Sequence, residues 1–142
     1  MAAWGSGPLE NDDAADYADG IIEDRDLTGL ERTLDKALGV GMEYLEAPDG
    51  AETLAAGEIV ARLLGRPGAE TPRLEQLDKR MRLDDWVRNA KLVPAPQLVN
   101  KAQRAVERVM TEPSELMELW IDSDDFDSWQ SAVKDLSRRL AG

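Results

Sequence analysis

The chain has no cysteine and no histidine among its 142 residues. Without thiols, neither a disulfide nor a thiolate metal site can hold the fold together. Without imidazole, the commonest general base, the commonest metal ligand and the usual near-neutral pH switch are gone. A nucleophilic triad would need Lys or a carboxylate as its base, and neither G-x-S-x-G nor G-x-x-x-x-G-K-[ST] occurs. No run approaches the ~20 apolar residues that span a bilayer. The opening Met1-Ala2-Ala3-Trp4-Gly5 has neither the basic start nor the apolar stretch of a secretory leader. A cytoplasmic protein is expected. Long alternation of β-branched and polar residues is missing too, which argues against strands.

What is abundant is negative charge, net −12 with a pI near 4.4, and it is segregated. Residues 1–26 hold eight acids against one base, and residues 112–127 hold seven acids and no base. Residues 73–108 are mildly basic, with nine bases against five acids. Phosphate neutralisation needs a basic face, so neither nucleic acid nor an anionic membrane is the expected partner. A basic protein is.

Helical periodicity runs from residue 11 onward and predicts one all-α domain over residues 1–142. This is an extended arm over 1–10 followed by a bundle of about six to eight short helices. Asn11 or Asp12 caps the first helix. Thr28-Gly29-Leu30-Glu31 has capping-box spacing, and Leu30, Leu34, Ala37, Leu38, Gly41 and Leu45 continue from it. Gly39 and Gly41 within that run suggest close approach of a neighbouring helix. Ala47-Pro48-Asp49-Gly50 reads as a turn, with Asp49 capping a helix from Ala51 to Leu64. That helix is apolar nearly all round and is therefore expected to be central. Residues 65–72 form the longest loop. The phase of Leu74, Leu77 and Met81 differs from that of Leu83, Trp86 and Val87, which predicts two helices with a break near Arg82. Pro94 and Pro96 start a helix with Leu98, Ala102, Ala105, Val106, Val109 and Met110 inward, and Pro113 starts a short one. Asp124 or Asp125 caps the last, whose Phe126, Trp129, Val133, Leu136 and Leu140 form a heptad seam expected to pack on the same chain.

The string Ala3-Trp4-Gly5-Ser6-Gly7-Pro8-Leu9-Glu10-Asn11-Asp12-Asp13-Ala14-Ala15-Asp16-Tyr17 resembles the opening W-G-x-G-P-F-x-N-D-x-A-x-D-W of the bacterial family catalogued as domain of unknown function 4259. Leu9 stands for the usual Phe, and Tyr17 for the usual Trp. Tyr44-Leu45-Glu46-Ala47-Pro48-Asp49-Gly50, the Ala-rich helix with Glu58, and Glu115-Leu116-Met117-Glu118-Leu119-Trp120 extend the resemblance over most of the chain. It implies a small bacterial protein and carries no activity.

The opening motif can be read in two ways. In one, the Trp4 indole plugs a pocket while Gly5 and Gly7 let the backbone run close to a helix. In the other, Trp4, Gly5, Gly7, Asn11, Asp12 and Asp13 rim a site for a cation or amine. Glu58, in the most apolar helix, needs a partner if buried, and Arg62 four residues on is the obvious one. It forms either an exposed pair or a carboxylate lining a pocket. The acidic run Asp122-Ser123-Asp124-Asp125-Phe126-Asp127 fails as a calcium loop, with Asp127 where Gly belongs. Glu43-x-x-Glu46 and Glu75-x-x-Asp78 fit the spacing of the all-α nucleotide pyrophosphohydrolases, whose helical carboxylates hold magnesium. A small-molecule sensor would line its pocket with Trp4, Trp86 or Trp120. The leading expectation is a non-enzymatic interaction protein without a cofactor, immunity- or antitoxin-like toward a basic partner. The magnesium-dependent hydrolase is the alternative.

Overall fold

The computed structural model describes residues 5–69, 72 and 74–142, and among them it contains seven α-helices and no strand. The architecture is the all-α bundle that the periodicity predicts. Its axis is α3 (Ala47–Leu63), in which thirteen of seventeen residues are buried. Around it pack α1 (Asp12–Ile21), α2 (Thr28–Gly39), α5 (Pro96–Val109), α6 (Glu115–Ile121) and α7 (Phe126–Ala141), while α4 (Leu77–Ala90) lies against α1 and the edge of α3. A helix that is apolar on every side can satisfy itself only by being surrounded.

The outer helices bury one stripe each. In α5 it is Leu98, Ala102, Ala105, Val106 and Val109. In α7 it is Trp129, Val133, Leu136 and Leu140, so the heptad seam is used against α5 and α3 of the same chain. Gly57 sets how closely these helices approach. A Cβ there would lie 2.8 Å from Val106 Cγ2 and 3.3 Å from Leu136 Cδ2.

Several helix boundaries differ from expectation, each for a local reason. Helix α2 stops at Gly39, and Gly41 follows with a left-handed φ of 57°. A Cβ on either glycine would meet nothing within 4 Å, so they end a helix rather than admit a neighbour. The capping box at Thr28 does not form. Leu27 occupies the cap, and Asp26 Oδ1 accepts the Thr28 N–H at 3.0 Å.

Helix α3 starts at Ala47, with Pro48 in its first turn, where no N–H is needed. Asp49 pairs with Lys36 at 3.0 Å instead of capping. Helix α4 is continuous through Arg82 and is preceded by one 3-10 turn, Leu74–Gln76. Leu74, Leu77 and Met81 are exposed, whereas Leu83 is buried with Trp86 and Val87 half-buried. The two phases mark two sides of one helix. Ser114, not Pro113, caps α6. At α7, Asp125 holds the cap position without a side-chain bond, and Ser123 Oγ accepts its N–H at 3.1 Å.

Candidate docking surface

Trp4 lies outside the described residues. The rest of the opening motif is occupied with local structure. The Glu10 carboxylate accepts the Gly7 N–H at 3.0 Å and sits where a Cβ on Gly5 would go. The Glu10 N–H returns to the Gly7 carbonyl at 3.0 Å, so residues 7–10 form a turn. Asn11 is buried, and its side chain accepts the Ala14 N–H at 2.8 Å, capping α1. Asp12 and Asp13 follow in the first helical turn, where the dipole favours negative charge. Part of this segment's acidity is met from α4. Lys79 Nζ stands 3.2 Å from Asp19 and 3.8 Å from Asp16, and Arg82 Nη2 stands 3.9 Å from Asp19.

Glu58 is neither an exposed pair nor a pocket wall. It is fully buried and accepts four hydrogen bonds. These come from Arg62 Nε at 3.0 Å, Gly68 N at 3.1 Å, and Arg139 Nη1 and Nη2 at 3.1 and 2.8 Å. Arg62 also reaches Asp84 on α4 at 2.9 Å, and Arg139 reaches Asp135 at 2.8 Å. Burial alone would lower the Arg139 pKa, but the hydrogen bonds and charges of Glu58 and Asp135 outweigh it and raise the pKa. The cluster ties α3, α4, α7 and Gly68 together. Its second arginine is 81 residues from Glu58, where no sequence spacing points.

Glu43, Glu46, Glu75 and Asp78 are all exposed, the first pair between α2 and α3 and the second at the start of α4. Among the described residues no group of three or more carboxylates is gathered as a metal site would require. The pyrophosphohydrolase spacing therefore does not become a site. Of the aromatic residues named for a sensor, Trp120 stacks on Trp129 with ring centroids 6.2 Å apart, and Trp86 lines a groove beside α1.

The structure does assemble a surface from the second acidic segment and the α2–α3 connection. Leu45 and Ser114 pair through their backbones, with Leu45 N–H to Pro113 O at 3.2 Å and Glu115 N–H to Leu45 O at 2.9 Å. Glu115 Oε1 accepts the Ala47 N–H at 2.7 Å, so the carboxylate that caps α3 comes from α6. The Arg108 guanidinium binds four carbonyls: Gly41 at 2.9 Å, Thr111 and Glu43 at 2.6 Å, and Pro113 at 3.0 Å. One side chain thus fastens residues 41–43 to 111–113.

At 100° per residue, Ile121, Glu118, Asp122, Glu115 and Leu119 fall in order across one side of α6, opposite the buried pair Leu116 and Met117. Beside it is Tyr44, whose phenol pKa is raised by partial burial and by the charges of Glu118 and Glu115. Met42, Tyr44, Leu119 and Ile121 are 78%, 48%, 49% and 47% exposed, half of the molecule's strongly exposed large apolar residues among those described.

Cationic partners meet part of the acidity elsewhere on the molecule, though not all of it: among the described residues Asp12, Asp13, Glu52 and Glu75 have no ion pair either. Asp16, Asp19, Glu31, Asp35, Asp49, Asp84 and Asp135 all have cationic partners. Among the described residues, none of Glu43, Glu46, Glu112, Glu115, Glu118, Asp122, Asp124, Asp125 and Asp127 has one. Arg108, which borders this face, is committed to carbonyls. Sequence reasoning singled out none of Met42, Tyr44, Arg108, Glu118, Leu119 or Ile121 as functional. The base-free run over 112–127 was the signal pointing to them.

Residues 2–132 match the family described as Domain of unknown function (DUF4259). The fold continues past that span, since Val133, Leu136 and Leu140 are buried and Arg139 holds Glu58. No curated protein and no solved structure matches the chain. Among the described residues no helix is long and apolar enough to cross a membrane.

Proposed function

The chain belongs to the DUF4259 family, whose function is unknown, and from that footing we propose that it is a non-enzymatic bacterial interaction protein that docks a basic protein. Its docking face comprises residues 42–46 together with the outer side of α6. The sharper form of the reading is an immunity- or antitoxin-like role, in which the acidic face covers a cationic surface such as that of a nuclease.

The observation that carries the reading is the concentration of acid without base on one face. Among the described residues none of the nine acids over 43–46 and 112–127 has an ion-pair partner, whereas Asp16, Asp19, Glu31 and Asp35 on other helices are met by Lys or Arg of the same chain. Uncompensated carboxylates repel one another, and a cationic partner relieves that repulsion. Exposed Tyr, Met, Leu and Ile within the acidic rim supply apolar anchors, and Tyr and Met are enriched at protein interfaces.

The test is photo-crosslinking from benzoylphenylalanine placed at Tyr44 or Leu119, with Arg104 on α5 as the control position, in extract of the source cells. The expected result is one basic protein captured at both test positions and not at the control. Capture should weaken with added salt and disappear in Glu118→Lys/Asp122→Lys. Failure to recover any basic protein at low salt would sink the reading.

A further inference from the structure

The structure also carries a concavity at the C-terminal ends of α1 and α4. The segment following α1 and the last turn of α4 border a groove of about 420 Å³, within the size range of small-ligand sites. Its apolar floor is Ile22, Ala90 and the half-buried Trp86. The indole is fixed in orientation, because its N–H donates to the Asp24 carbonyl at 3.1 Å.

The surroundings of that ring are electronegative. Glu23 and Asp24 line the groove, and among the described residues neither has an ion-pair partner. Both α1 and α4 end here, so each brings the partially negative end of its dipole. Arg25 is the single base of the lining, against two carboxylates. An aromatic face attracts a cation held over it, and does so more strongly when the cation is partly desolvated. Apolar floor, fixed indole and unpaired carboxylates together suit a ligand with a positive head and an apolar body.

We propose that this groove binds a small organic ammonium ion. The head group lies between the Trp86 ring and the Glu23 carboxylate, the Asp24 carboxylate adding negative charge from beside Gly29, and the apolar body rests on Ile22 and Ala90. The site is separate from the acidic docking face, shares no residue with it and stands or falls independently.

The experiment uses the whole chain and follows the Trp86 indole N–H in proton–nitrogen correlation spectra. Benzylamine is the probe, and benzyl alcohol is its neutral isostere. Benzylamine should shift the Trp86 indole and the amides of residues 22–25 and 89–90 saturably in the millimolar range, as befits an open site. Glu23→Gln/Asp24→Asn should weaken that response by about tenfold or more, with the other resonances in place. Benzyl alcohol should bind correspondingly less well.

Three results would overturn the proposal. The first is an equal response to the alcohol, which would make the groove an apolar dent. The second is an equal response of residues 115–122, which would mean unspecific attraction to acids. The third is no saturable shift at Trp86.

Discussion

Replacing Glu58 by Ala strips a fully buried carboxylate of four hydrogen bonds at once. What remains is worse than a gap. The Arg62 and Arg139 side chains are only 7% and 14% exposed and would be left facing each other without the anion between them. Removing one partner of a buried ion pair costs about 3–5 kcal/mol, because the surviving charge stays desolvated. Asp84 and Asp135 still hold one guanidinium each from the rim, at 2.9 and 2.8 Å, which places the expected loss near the lower end of that range. For a domain of this size 1 kcal/mol corresponds to roughly 2–4 °C in Tm, so a drop of roughly 6–12 °C is expected. Urea unfolding with an unchanged m-value would confirm that stability alone has moved. A companion variant sharpens the test. Glu58→Leu combined with Arg62→Met and Arg139→Met removes all three charges and should recover most of the loss, since apolar replacement of a buried ion cluster is often neutral or stabilising. A cost below ~1 kcal/mol for Glu58→Ala would refute the reasoning, because the cluster could not then be desolvated in solution.

Other perturbations test other parts of the bundle. Gly57→Ala should destabilise by about 1–3 kcal/mol through overpacking on Val106 and Leu136, while Gly39→Ala, open on all sides, should stabilise by up to ~1 kcal/mol; urea denaturation reads both, and equal signs would contradict the packing. The Tyr17 phenol, bonded to Thr33 Oγ1 at 2.6 Å, has its pKa pushed up to about 12, chiefly by burial. Its protonated form is therefore favoured by folding. That stability is complete below pH 10 and is lost as pH rises from about 10 to about 12, by ~2–3 kcal/mol. Tyr17→Phe should remove that share of the alkaline loss, and identical wild-type and variant profiles would show that the phenol ionises freely. Glu115→Ala should cost about 1 kcal/mol as the loss of the α3 cap, and hydrogen exchange at Ala47 should quicken; an unchanged Ala47 rate would remove Glu115 from that role.

Much of the architecture could be read from the sequence because α3, α5 and α7 advertise themselves. An apolar stretch such as 54–64 must be surrounded, and the stripes of Leu98–Val109 and Trp129–Leu140 have one way to face inward. Legibility fails where the deciding partner is remote. Asp49 looks like the cap of α3, but Glu115 performs that task from 68 residues away. Glu58 and Arg62 look like an i,i+4 surface pair until Arg139 arrives from α7. Gly41 looks like a contact point and is a left-handed stop. The acidic face was half visible: the base-free run at 112–127 can be counted, but its meeting with Tyr44 depends on the Leu45–Ser114 pairing and on Arg108. Of the opening motif, only the capping role of Asn11 was local enough to foresee.

The 81-residue separation between Glu58 and Arg139 also orders events in time. Translation at ~5–20 residues per second puts roughly 4–16 s between the emergence of the anion and that of its bidentate partner. During that interval the helix destined for the centre of the bundle carries a carboxylate it cannot yet bury at full value. Arg62 is made within the same helix, so the carboxylate emerges half-partnered, and a chain that stops before Arg139 leaves its bidentate bond unmade.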